Sequence, residues 1–70
     1  MQHKIKNTAA FQGLTPMQKG IYVRRKPMKD IEDHYREASN IGFEKWLQNH
    51  TPTNLIKNII LELIENDTSI

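Results

Sequence analysis

The sequence predicts a mostly α-helical domain in which one short strand is followed by two helices. Three observations predict it. Seven of the ten residues in 55–64 are apolar, and at about 100° per residue Leu55, Ile56, Ile59, Ile60, Leu63 and Ile64 share roughly half of a helix surface. Ile31, Tyr35, Ala38, Gly42 and Trp46 recur at the three-to-four spacing of a second helix. Ile21, Tyr22 and Val23 form the only run that favours a strand.

In chain order, residues 1–19 are polar and aperiodic apart from Ile5, Ala9, Ala10, Phe11 and Leu14, and they read as a flexible basic arm. The Ala-Ala-Phe segment could dock or become ordered on binding. Thr15-Pro16-Met17-Gln18 has the elements of a helix start: a capping hydroxyl, Pro at the first position and Gln three residues after the cap. Gly20 would stop it after one turn, and a plain loop fits equally well. Residues 20–26 alternate as a strand would. Ile21 and Val23 lie on one face, Tyr22, Arg24 and Lys26 on the other, and Pro27 ends the run. Because a single strand is not stable alone, it would pair with the same strand of a second copy.

Residues 28–49 are helical in pattern, either as one long or kinked helix or as two that break at Asn40-Ile41-Gly42. Phe43 and Leu47 sit about 100° from the main stripe. Trp46 with Phe43, and Tyr35, read as core rather than as base-stacking platforms. Thr51 can cap the last helix and Pro52 fits its first position.

The net charge of +2 conceals an asymmetry. Residues 1–29 carry seven cations (Lys4, Lys6, Lys19, Arg24, Arg25, Lys26 and Lys29) and no acid, for +7. Residues 30–70 carry three cations against eight acids, for −5. A basic first part on an acidic helical body points to an anionic partner. The chain has no cysteine, which removes disulfides and thiolate metal sites and fits a reducing cytoplasm. Nothing approaches the roughly 18 apolar residues of a membrane span, and no secretory signal stands at the start. A chain of 70 residues buries only about 60% of its extended surface, so the wide apolar face of 55–64 calls for a homodimer.

Asp30, His34 and Glu37 could share a helix face in a metal-binding spacing, although a solvated charged face accounts for them as well. There is no nucleophile–base–acid set and no glycine-rich phosphate loop, so neither catalysis nor a cofactor is expected.

Ile21-Tyr22-Val23-Arg24, followed by a helix and then Asn49-His50-Thr51-Pro52-Thr53-Asn54-Leu55-Ile56, resembles the ribbon-helix-helix family of DNA-binding proteins. The second segment matches the family's turn, where Gly or Asn precedes a pair of Ser/Thr residues and an apolar helix. The resemblance covers residues 20–66 and leaves the arm outside. It implies an intertwined homodimer, with a domain at 20–67 whose paired strands lie in the DNA major groove. Tyr22, Arg24 and Lys26 would then read bases, and a register shift of one would turn Ile21, Val23 and Arg25 outward instead. Arg25, Lys29, Thr51 and Thr53 would hold phosphates, and Lys4, Lys6 and Lys19 would act from the arm. Ile21, Val23, Leu55, Ile56, Ile59, Ile60 and Leu63 would form the dimer core.

The function implied is a small cytoplasmic transcriptional regulator of the repressor, plasmid or phage type, with double-stranded DNA as partner. The competing expectation is a protein-interaction module, such as a phage inhibitor or an antitoxin-like partner. A third is an RNA- or ribosome-associated protein that binds through its arm.

Overall fold

Six helices follow one another along the described residues, and threonine caps start three of them. The computed structural model describes residues 2–68, with side chains described for 3–66. The helices are α1 (Gln2–Lys6), α2 (Ala9–Gln12), α3 (Pro16–Tyr22), α4 (Arg25–Ile41), α5 (Phe43–Asn49) and α6 (Asn54–Thr68), and no strand occurs among the described residues. Thr8 caps α2, its hydroxyl accepting from the Phe11 amide at 3.2 Å. Thr15 and Gln18 form a reciprocal capping box on α3. The Gln18 amide donates to Thr15 Oγ1 and the Thr15 amide to Gln18 Oε1, both at 3.2 Å. Thr53 caps α6, accepting from the Ile56 amide at 3.4 Å.

Gly42 separates α4 from α5 and serves both. Its amide donates to the Ala38 carbonyl, and its own carbonyl accepts from the Trp46 amide, each at 2.9 Å. The turn requires φ = 96°, which L side chains rarely adopt, and Gly42 is the only described residue with positive φ.

The two long helices, α4 and α6, pack on each other. α1 and α2 cover α6 from one side, and α5 folds back on α4. The core consists of Ile5, Phe11, Met28, Ile31, Tyr35, Ala38, Trp46, Ile59, Ile60 and Leu63. Leu55, Ile56 and Ile64 are half-buried at its margin. A long-range polar contact fixes the first part of the chain. Both carboxylate oxygens of Glu62 on α6 accept from the start of α2, Oε1 from the Ala9 amide at 2.7 Å and Oε2 from the Ala10 amide at 2.9 Å. Free amides at a helix start favour such an anion. The radius of gyration, 11.6 Å, is close to the roughly 11 Å expected of a folded chain this long.

This architecture overturns the ribbon-helix-helix expectation. Residues 20–22 end α3, Val23 and Arg24 form a turn, and Arg25 and Lys26 begin α4, so no ribbon exists to pair between copies. The strand preference of three consecutive residues loses to the helix that Thr15 nucleates, and Gly20 lies inside that helix rather than stopping it. Nor is there a free basic arm: α1 and α2 place Ile5 and Phe11 in the core. The intertwined dimer falls for the same reason. The apolar face of α6 is covered by α1, α2 and α4 of its own chain, so Ile59, Ile60 and Leu63 are buried without a second copy. Residues 28–49 divide at Gly42, one of the two alternatives. The last helix starts at Asn54 with Thr53 as its cap. Thr51 and Pro52 precede it in the link from α5.

Candidate functional site

Two groups of side chains on α4 stand apart from simple packing. The first surrounds its start. The first turn holds Arg25 and Lys26 and no acid, Arg24 occupies the cap position without a capping hydrogen bond, and Lys29 lies one turn on. Arg24, Arg25, Lys26 and Lys29 are all exposed. Pro27 has no N–H, and the Met28 amide donates to the Arg24 carbonyl at 3.1 Å, leaving Arg25 and Lys26 with amides the helix itself does not use. Arg25, Met28, Lys29 and Glu32 line an open recess here of about 410 Å³. The preceding α3 contributes no buried residue and leaves Met17 80% and Ile21 47% exposed, and Val23 after it is 41% exposed. Exposed Ile21 and Val23 immediately precede the exposed cations in the chain.

The second group gathers where α4, α5 and the link to α6 converge. His34 and Glu37 are one turn apart on α4, and His50 follows α5 in extended conformation (φ −135°, ψ 152°). One donor atom from each of the three lies within 4.8 Å of the others. His50 Nε2 and Glu37 Oε2 are 2.9 Å apart. A carboxylate oxygen can only accept here, so Nε2 carries the hydrogen. Trp46 is fully buried beneath them, its ring 5.5 Å from each of the two imidazoles, with Phe43 6.0 Å away on its other flank. His34 and His50 meet edge-on at 5.6 Å. The Trp46 Nε1 hydrogen is buried without a hydrogen-bond partner among the described residues.

Set against the sequence expectations, the structure brings Arg24, Arg25, Lys26 and Lys29 together at one corner. Tyr22 is half-buried against the core at the end of α3, not on an exposed reading face. Lys19 is on α3, whereas Lys4 and Lys6 belong to α1. Thr51 is exposed in the link before α6, and the Thr53 hydroxyl is engaged in capping. Ile21 and Val23 are exposed rather than core. Of the suggested metal trio, Asp30 lies outside the cluster and His50 takes its place. His34 and Glu37 could be paired from helical spacing alone. His50 could not, since the Gly42 turn is what carries it back to α4. No helix among the described residues is long and apolar enough to cross a membrane. Comparison of the chain with family models, with curated proteins and with solved structures gives no match, so what these sites do must be argued from their own geometry.

Proposed function

We propose that this chain is a small, non-catalytic binding module of the cytoplasm that engages double-stranded DNA through the corner between α3 and α4, as a regulator would. The observation that carries the reading is the charge order at the start of α4. A helix N-terminus carries positive partial charge and favours acids, yet Arg24, Arg25, Lys26 and Lys29 crowd this one. That arrangement is unfavourable in the free protein and becomes favourable when a phosphate lies between the cations and the unused amides. Arg24, Arg25, Lys26 and Lys29 are the phosphate contacts. The Arg25 side chain lines the recess at the same end.

Fluorescence anisotropy of a mixed-sequence duplex across a salt series tests it. Binding should weaken linearly on a double-logarithmic plot, and replacing Arg24, Arg25 and Lys26 with Gln should lower that slope by about 2.7, at about 0.9 per phosphate contact. An unchanged slope in the triple variant would remove the corner as the DNA contact. A second reading, a protein partner, is favoured by the exposure of Ile21 and Val23 just before the same cations and of Met17 on the same short helix as Ile21. Under that reading Met17→Ser with Ile21→Ser abolishes partner binding, while the DNA slope stays near zero for parent and variant alike.

A further inference from the structure

We propose that His34, Glu37 and His50 form a binding site for a transition-metal dication of the zinc class. Their donor atoms already lie within 4.8 Å of one another. Tetrahedral zinc with bonds of about 2.1 Å holds its ligands about 3.4 Å apart, so closure needs little more than side-chain rotation. The side chains that must turn are free to do so: those of His50 and Glu37 are 33% and 46% exposed. The backbone is already in place, because His34 and Glu37 are a turn apart on one face of α4 and the Gly42 turn returns His50 to them.

The donor set selects the ion. Two imidazoles and one carboxylate suit zinc or cobalt, whereas magnesium and calcium want mostly oxygen ligands. Three protein ligands leave a fourth position for water, the pattern of an open rather than a closed zinc site. When His50 Nε2 takes the metal, the hydrogen it now donates to Glu37 Oε2 is exchanged through solvent to Nδ1, so the imidazole stays neutral. Buried Trp46 lies 5.5 Å from both imidazoles. The bound ion ties the middle of α4 to the link between α5 and α6, on either side of Gly42. The site uses none of the residues assigned to DNA, so each proposal stands or falls separately.

Trp46 is the only tryptophan of the chain and reports directly on the site. Titrating the full chain with Co²⁺ should quench its emission, saturating at one ion per chain. Zn²⁺ should displace the cobalt, restore the emission and raise the thermal midpoint with concentration. Mg²⁺ and Ca²⁺ should do neither. Glu37→Gln and His50→Ala should each weaken binding about tenfold or more, while His3→Ala, altering an exposed histidine on α1 outside the cluster, leaves the titration unchanged. Emission unmoved by Co²⁺ overturns the site, as does a titration identical in Glu37→Gln and parent, or one lost only in His3→Ala. Circular dichroism checks each variant's fold; should His50→Ala unfold, Glu37→Gln, a near-isosteric change at an exposed residue, decides alone.

Discussion

The two parts of α4 are built on opposite terms. At its start, four exposed cations oppose the helix dipole, and the neighbouring α3 buries none of its residues. At His34 the same helix meets Trp46 and His50 in close ring contacts, with centroids 5.5 and 5.6 Å away. One region leaves its interactions open and the other closes them within the chain. Arg25 and Glu37 are twelve residues apart, about 18 Å along the helix, far enough for changes at one end to add independently to changes at the other. The buried side of α4 runs its whole length, through Met28, Ile31, Tyr35 and Ala38, so the contrast lies in what its outward side offers at each end.

The contrast is sharpest at Trp46. Its side chain is fully buried between α4 and α5, and Trp46→Ala should cost about 3–5 kcal/mol from the lost transfer free energy and the cavity left behind. Urea unfolding followed by circular dichroism measures this, and a loss below 1 kcal/mol would mean that the closed end is not closed. Next in size is Gly42→Ala. No atom lies within 4 Å of the added Cβ, so the cost is backbone strain alone at φ = 96°, about 1–3 kcal/mol. It should appear as a lowered thermal midpoint. Because Gly42 directs His50 back to α4, the same variant should also bind Co²⁺ less tightly.

Much of the closed end was legible in the sequence and little of the open end was. The stripe of Ile31, Tyr35, Ala38 and Trp46 and the apolar set on the last helix are periodic, and burial follows periodicity. The Thr15–Gln18 box was readable as a helix start beside a plain loop, since it is a local hydrogen-bond pattern. The helix nevertheless runs on through Gly20, which was expected to stop it. What misled was Ile21-Tyr22-Val23, where strand preference in three residues is a weak signal and the helix begun by Thr15 absorbs it. Residues 1–14 looked like an arm because Ile5 and Phe11 lack a period. They are held by Glu62, fifty-two and fifty-three residues from the amides it binds, a contact that no local pattern encodes. A shorter but still non-local separation, thirteen residues from Glu37 and sixteen from His34, hid His50 from its partners.

Glu62 gives the third prediction. Glu62→Ala keeps a good helix former in α6 but removes both acceptors from the start of α2, with an expected loss of about 1–2 kcal/mol, moderated by the partial exposure of the carboxylate. Hydrogen exchange locates the effect. The amides of Ala9 and Ala10 should lose protection more than the core of α4 does. Uniform loss across the chain would show that α1 and α2 unfold only together with the rest.

The smallest expected effect is at Met17, and it bears most directly on the open end. The side chain is 80% exposed on a helix with no buried residue, so Met17→Ser removes almost no apolar surface from the interior. Stability should change by no more than about 0.5 kcal/mol, the usual range for surface positions. A null result of that kind separates retention for folding from retention for contact: a large thioether that contributes nothing to stability at a basic corner is available to a partner. A loss of 1 kcal/mol or more, read from the urea midpoint at constant slope, would instead mean that Met17 packs against the protein in solution. The exposed corner would then be part of the core, and the contrast between the two parts of α4 would dissolve.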